Sequence, residues 1–320
     1  MKYKPIILVA GEPNSIFIEI FLKIIKKKKF KSPLILICSK KIFFKQSKFF
    51  KEKIQFNEIN KNEILSKKIT LKKLNLIDVE YDQKNIFEQI SPKSNKYIEN
   101  SFNIGLKIIK SGLTDKFING PVSKENFLKK KFIGITEYLA QKTSTTNFAM
   151  IIFNKELSVC PITTHEPLKL VSKKINKENI IKKIKIIDNF WRSNFSVKPK
   201  IAVTGLNPHC ESTDNFNEDK KIIIPAIKNL KKNKINVGGP FAADTIFTKS
   251  NRNKFDIIVG MYHDQVLTPI KTLYEYDAIN LTIGLPFIRV SPDHGPNINM
   301  LGKNKSNITS LLKSIQFLDY

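Results

Sequence analysis

Three histidines in this chain each stand just past a short apolar run. Leu157 to Ile162 leads into Thr163-Thr164-His165-Glu166, Ile201 to Thr204 leads into Gly205-Leu206-Asn207-Pro208-His209, and Phe255 to Val259 leads into Met261-Tyr262-His263-Asp264-Gln265. The chain holds four histidines in 320 residues, so three of them at the ends of strand-like runs is an informative placement. Neutral imidazoles converging at the carboxyl ends of parallel strands would form an open metal site, with the remaining positions left for water or substrate. The ligands lie far apart in sequence and no H-E-x-x-H spacing brings them together, so three unrelated structural histidines is the alternative that spacing leaves open.

The stretch from Gly260 to Gly295 concentrates the remaining chemistry. It carries His263, Lys271, Asn280, Arg289 and His294, with polar groups recurring at the edges of apolar segments. In an α/β sheet the strands carry the core and their carboxyl ends open into the ligand crevice, which is where His263 and Asp264 are expected. Arg289 follows Leu285-Pro286-Phe287-Ile288 and precedes Ser291-Pro292, so its backbone should be held. Its planar fork suits two oxygens of an anion at once. A loop histidine and a surface arginine are the plainer readings of His263 and Arg289 taken singly.

The elements that would position these residues read as α/β. Ile6 to Ala10 is a continuous apolar run of the kind buried on both faces, and it ends at Gly11-Glu12-Pro13-Asn14-Ser15. Ser15 is expected to cap a helix running to the lysines at 26 to 29, and Leu34 to Cys38 follows as a second strand, giving a βαβ unit. The turn has one glycine where the dinucleotide fingerprint needs three, so it is not a Rossmann phosphate loop. Further on, Leu74 to Val79 reads as a strand and Ser94 to Lys110 as an amphipathic helix stopped by Gly112. Phe117 to Asn119 is a strand running into a turn. Thr136 beside Glu137 is equally consistent with a helix start. Phe148 to Phe153 and Leu157 to Ile162 form a hairpin, and Lys177 to Phe195 is a helix with Trp191 in its core face. Gly238 to Pro240 reads as a turn before a helix start at which Asp244 caps or orients a ligand, and Ser306 to Phe317 closes the chain as a helix. Residues 40 to 95 otherwise carry nothing functional.

Composition bounds the partners. The formal charge of +27 would ordinarily point to nucleic acid or an anionic membrane. Three arginines leave 52 of the 55 basic residues as lysine, scattered through nearly every segment, and no basic stripe interleaved with aromatics stands out. Neither nucleic acid nor membrane is expected as a partner. Cys38, Cys160 and Cys210 have no paired spacing, which suits a reducing compartment. Met1 runs straight into a strand with no signal-peptide pattern, and no apolar run reaches bilayer length. A cytoplasmic location is expected.

A set of motifs resembles one family. GEPNS at 11–15, NGPVSK at 119–124, GITEY at 134–138, TTHEPL at 163–168, GLNPH at 205–209, GPFAADT at 239–245, MYHDQ at 261–265 and NLTIGLPFIRVSPDHG at 280–295 resemble the 4-hydroxythreonine-4-phosphate dehydrogenase family, in that family's order over nearly the whole chain. The resemblance implies two α/β domains of the isocitrate/isopropylmalate dehydrogenase-like type with the active site in the cleft between them. Residues 1–125 plus 260–320 would form the first domain and 126–259 the second. It also implies a homodimer with its active site at the subunit interface, a phosphorylated small-molecule substrate, NAD or NADP, and one divalent ion, zinc, magnesium or cobalt. The activity implied is NAD-dependent oxidation of 4-phosphohydroxy-L-threonine at the C3 hydroxyl and decarboxylation to 3-amino-2-oxopropyl phosphate, in pyridoxine 5'-phosphate biosynthesis. By the same resemblance His165, His209 and His263 match metal ligands, and Thr136, Lys271, Asn280 and Arg289 match substrate contacts. Asp244 and Asp264 are candidate catalytic residues that orient substrate or a ligand histidine. No cofactor-contacting residue is assigned.

Two departures from the family pattern stand out. Ile135 occupies a position where the family usually has a substrate-contacting histidine, and Cys210-Glu211-Ser212 follows His209 where A-G-E is usual. A paralogous dehydrogenase of phosphothreonate or phosphoerythronate is therefore the runner-up. A metal-dependent phosphate-ester hydrolase or a non-catalytic phosphometabolite binder is the reading from another class.

Overall fold

Continuous apolar runs become strands covered on both faces: Ile6–Val9, Ile201–Thr204 and Ile257–Gly260 are buried at every position. The computed structural model describes residues 3–60, 69–129, 131–213, 216–292 and 294–320. Its strands are β1 (Ile6–Val9), β2 (Leu34–Cys38), β3 (Phe56–Glu58), β4 (Leu74–Asp78), β5 (Lys116–Asn119), β6 (Ala149–Phe153), β7 (Ser158–Pro161), β8 (Ile201–Thr204), β9 (Val237–Phe241), β10 (Ile257–Gly260), β11 (Ile279–Ile283) and β12 (Ile288–Pro292). The chain divides into two compact units, residues 1–139 with 286–320, and residues 140–285.

The first unit orders its strands β3-β4-β2-β1-β5-β12, and every neighbouring pair is parallel. The chain leaves β1 toward β2 on one side and returns to β5 on the other. That makes the carboxyl edge of β1 and β5 a topological switch point, the place where open α/β sheets take ligands. The two loops there touch. A Cβ on Gly120 would lie 2.1 Å from the carbonyl oxygen of Ala10, so only glycine allows this approach. The helix Asn95–Lys110 buries Ile98, Phe102 and Leu106, and Gly112 follows at φ 77°, as its expected stop.

The second unit orders its strands β11-β6-β7-β10-β8-β9. β11 and β6 pair antiparallel, and so do β6 and β7, whereas β7, β10, β8 and β9 run parallel. The helix Lys177–Phe195 has the expected bounds, begins with Asn176 accepting from the Asn179 backbone N–H at 2.9 Å, and buries Ile180, Ile184, Ile187 and Trp191. At about 1.5–3 kcal/mol for each fully buried large apolar side chain, this face anchors the helix.

Several expectations change. The units exchange chain at 139/140 and 285/286 rather than at 125/126 and 259/260. Residues 260–285 stay with the second unit because β11 pairs with β6 over five residues and Val266 and Ile270 join the core formed by Ile152, Val159 and Ile258. Ser15 is not the cap itself. The helix Phe17–Lys27 has Ile16 at that position, while the Ser15 hydroxyl donates to the Glu12 carbonyl at 2.7 Å and accepts from Phe17 N–H at 3.4 Å. The glycine-rich 238–240 segment is strand: it belongs to β9, where Gly239 at φ 128° lets the backbone pass a Cβ's 2.3 Å from the Val203 carbonyl oxygen. Lys40–Phe49 is a helix capped by Ser39. Among the described residues no helix is long and apolar enough to cross a membrane.

Candidate active site

In the second unit β7, β10 and β8 are consecutive parallel neighbours, and each is followed by one of the three histidines. The loops they carry are laced together. Ile162 N–H donates to the Gly260 carbonyl at 2.8 Å and Thr163 N–H to that of Met261 at 3.1 Å, with the Thr163 hydroxyl donating to the same Met261 oxygen at 2.8 Å. Gln265 joins the β10 loop to the β8 loop: its Oε1 accepts from Met261 N–H at 2.7 Å and from the Thr204 hydroxyl at 2.8 Å, and its Nε2 donates to the Gly205 carbonyl at 2.8 Å. Asp219, fully buried, holds the far side of that loop, accepting from Leu206 N–H at 2.9 Å, Asn207 N–H at 3.2 Å and Asn207 Nδ2 at 2.9 Å.

Two of the three imidazoles meet. The rings of His165 and His263 lie 5.8 Å apart between centroids. His263 opens the helix His263–Tyr274, and its Nδ1 is 2.6 Å from Asp264 Oδ1. An ionised carboxylate only accepts, so this contact puts the proton on Nδ1 and leaves Nε2 as the bare donor atom. His209 sits in left-handed backbone at φ 55°, followed by Cys210 at φ 62°. It does not close on the pair: among the described residues no group of three or more His, Cys, Asp or Glu side chains is placed to hold a metal ion.

The other predicted contacts fall into both units. Lys271, on the same helix as His263, has its ammonium pKa lowered by burial. Asn280 on β11 has a buried Oδ1 with no hydrogen-bond donor among the described residues, an acceptor that a ligand's amino or hydroxyl group would satisfy. Asp244 stands exposed in the first turn of Ala243–Ile246; Asp264 is exposed as well, touching His263 only through its Oδ1.

In the first unit Arg289 lies on β12 opposite Phe117 of β5. It is not the open fork that the sequence suggested, since only 1% of it is exposed. Its Nε donates to Asn119 Oδ1 at 2.7 Å and its Nη1 to Thr136 Oγ1 at 3.2 Å. Asn119 Nδ2 donates in turn to the Gly120 carbonyl at 2.8 Å, which fixes the amide with its oxygen toward the guanidinium. Burial lowers the guanidinium pKa to about 10 against the opposing pull of Glu137, so it stays charged near neutral pH. Thr136 and Glu137 occupy the first turn of the helix Ile135–Lys142, and Glu137 Oε2 is buried without a partner among the described residues. Ile135 begins that helix, half-buried and apolar. Glu12, after β1, is 1% exposed, and burial raises its carboxyl pKa against hydrogen bonds from Asn14 and Ser94. The fourth histidine, His294, donates from Nδ1 to the Gly295 carbonyl at 2.9 Å. It has no part in the pairing of His165 with His263.

Sequence reasoning reached Gln265 and Asn119 only as members of motifs and did not single out Asp219 or Glu12. The neighbouring His263 drew the attention from Gln265, Asn119 lies far in sequence from the arginine it holds, and a buried carboxylate carries no periodic signal.

Comparison with known proteins identifies the relationship. Residues 29–318 match the family model described as pyridoxal phosphate biosynthetic protein PdxA. The chain belongs to the PdxA family. A relative from Sulfurihydrogenibium sp. (strain YO3AOP1), named 4-hydroxythreonine-4-phosphate dehydrogenase, is 37% identical over 97% of this chain and 95% of its own length. One from Oceanobacillus iheyensis, named putative D-threonate 4-phosphate dehydrogenase, is 31% identical over 98% of this chain and 97% of its own. The crystal structure of 4-hydroxythreonine-4-phosphate dehydrogenase from Klebsiella pneumoniae superposes with a TM-score of 0.86 at 27% identity, covering 99% of this chain and 97% of that one. The PdxA chain thus has a mixed α/β fold shared with that enzyme.

The divalent ion implied by the family resemblance can be tested against these residues. Three imidazoles are the right donors for zinc or cobalt, they leave one sheet edge from three adjacent parallel strands, and Asp264 sets the His263 tautomer. They suit the ion in kind, but among the described residues they are not gathered to hold it: His165 and His263 meet, and no group of three ligands forms.

Proposed function

We propose that this PdxA-family protein is 4-hydroxythreonine-4-phosphate dehydrogenase: it oxidises the C3 hydroxyl of 4-phosphohydroxy-L-threonine with NAD or NADP, and the product loses carbon dioxide to give 3-amino-2-oxopropyl phosphate for pyridoxine 5'-phosphate synthesis. The observation that carries this is the end-to-end match to a relative of that name at 37% identity. The D-threonate 4-phosphate reading rests on a relative at 31% and is the less favoured. A hydrolase is not favoured either, because both relatives are named as dehydrogenases. The two compact units would correspond to two α/β domains of the isocitrate/isopropylmalate dehydrogenase type. The protein would work in the cytoplasm as a homodimer.

In this reading His165, His209 and His263 hold one divalent ion, zinc, magnesium or cobalt. When bound, the ion supplies Lewis acidity that eases loss of the hydroxyl proton and polarises the carbonyl formed. Arg289, gripped by Asn119 and Thr136, fixes a positive charge and the Thr136 hydroxyl for an anionic group of the substrate. Lys271 adds a second charge, Asn280 Oδ1 accepts from the amino or hydroxyl group, and Asp264 keeps His263 in one tautomer. Asp244 is assigned to orienting the substrate. Measured kcat/KM on a panel of 4-phosphohydroxy-L-threonine, phosphothreonate and phosphoerythronate, each with NAD and with NADP, should favour the first by at least about tenfold, the discrimination expected of a site built to bond an amino group. Release of inorganic phosphate without reduced cofactor would reject the dehydrogenase reading.

A further inference from the structure

The helix Ile135–Lys142 opens on one apolar residue followed by two polar ones. Thr136 is buried and accepts from Arg289 Nη1 at 3.2 Å. Glu137 follows it. A glutamate in the first turn of a helix is favoured by the backbone dipole, which accounts for an exposed carboxylate but not for an oxygen cut off from water. Glu137 Oε2 is buried and takes no hydrogen bond from any described residue, and a charged acceptor left bare in that way costs more than a neutral one. Two other carboxylates, Glu19 and Asp188, also keep one bare oxygen. Each of those is answered by a cation four positions along its own helix, Lys23 at 2.8 Å and Arg192 at 2.7 Å. The cation that feels the charge of Glu137 is Arg289, whose pKa it raises, and that guanidinium turns Nε to Asn119 and Nη1 to Thr136. A fixed positive and a fixed negative charge are thus neighbours within the first unit, and the negative one has an acceptor to spare.

We propose that Glu137 is a specificity-determining residue: its Oε2 receives the α-ammonium group of the substrate, while Arg289 and the Thr136 hydroxyl that it holds serve the α-carboxylate. An α-amino acid carries those two groups on one carbon, so neighbouring charges of opposite sign are its electrostatic complement. The inference rests on the reading of the chain as a dehydrogenase of 4-phosphohydroxy-L-threonine, and it names the group by which that substrate is told from phosphothreonate and phosphoerythronate. Those acids carry a hydroxyl where the amino acid carries its ammonium. A hydroxyl has one hydrogen to give and no charge, whereas an ammonium has three and compensates the carboxylate.

The test separates binding from chemistry with two ligands that have no C3 hydroxyl to oxidise, O-phospho-L-homoserine and 2-hydroxy-4-phosphobutanoate. Isothermal titration of the full-length protein near neutral pH gives both Kd values, with far-ultraviolet circular dichroism as the control for folding. The parent should bind the amino ligand at least about tenfold more tightly than the hydroxy ligand. Glu137→Gln keeps the shape and removes the charge, and should cut that ratio about 10-fold to 150-fold, the span expected for a hydrogen bond to a charged group. Glu137→Asp keeps the charge but draws it back by one methylene, and its ratio should fall between the two. A role confined to holding Arg289 or the helix lowers both affinities alike. A ratio unchanged in Glu137→Gln, or a parent that binds the two ligands equally or not at all, therefore overturns the proposal. If Glu137→Gln loses its fold, Glu137→Asp decides, and an unchanged ratio there overturns it. Reduced cofactor formed from 4-phosphohydroxy-L-threonine by a protein whose ratio does not move ends this inference and keeps the dehydrogenase reading. A ratio that moves as expected in a protein that forms no reduced cofactor ends the dehydrogenase reading alone.

Discussion

Arg289 is the residue whose chemistry is most exposed to test, in a chain that otherwise uses lysine for nearly every cation. Its guanidinium is buried and divides its donors between Asn119 and Thr136 at 2.7 and 3.2 Å. A lysine at this position carries the charge but offers a single nitrogen on a flexible stem, and cannot hold both acceptors in the same plane. Loss of the charge-assisted bonds that hold Asn119 and the Thr136 hydroxyl in place should cost about 1.5–3 kcal/mol, or roughly 10-fold to 150-fold in kcat/KM. Arg289→Lys should therefore be impaired toward the phosphorylated substrate with the KM for NAD little changed. A variant within about twofold of the parent would remove Arg289 from the substrate machinery.

At the scale of the elements, the carboxyl edges of the two sets of parallel strands gather buried polar groups such as Glu12, Asn119 and Thr204, and these set the stability of the loops. Glu12 shows the cost. Its raised pKa means that the folded state disfavours its ionised form. Stability from this group is therefore fullest below the unfolded glutamate value of about 4.3 and declines as pH rises through the higher folded value. Glu12→Gln has no proton to lose, so its thermal midpoint should exceed the parent's at neutral pH, with the two converging at about pH 4. A gap that does not change with pH would show that ionisation of Glu12 is not the cause. Much of this layer was legible in the sequence. The helix at 177–195 and the strands ending before each histidine followed from apolar periodicity, which tertiary packing then used unchanged. The glycine-rich 238–240 segment was not legible: local turn chemistry argued against a strand, and pairing with β8 overrode it. The grip of Asn119 on Arg289 spans 170 positions, and a hydrogen bond between residues that distant has no signature in spacing.

For the whole molecule, motif order along the chain carried the family, and the family match over residues 29–318 agrees with it. The strand pairing of β11 with β6 keeps residues 260–285 with the second compact unit, a long-range contact that has no signature in local spacing. Assembly is the expectation that belongs to this scale. Sedimentation velocity should show a homodimer that persists on dilution to the concentrations used for assay. A fully active monomer would contradict a site completed by a partner copy.

The central claim is oxidation followed by decarboxylation at a site served by three histidines. The most direct test is to follow reduced cofactor and carbon dioxide together from 4-phosphohydroxy-L-threonine and NAD, using the parent protein as isolated, after chelation, and after cobalt or zinc is restored. The account predicts equal yields of both products, loss of both on chelation, and recovery of both on reloading. Reduced cofactor and carbon dioxide forming at the full rate in chelated protein, or neither forming in the reloaded enzyme, would contradict it.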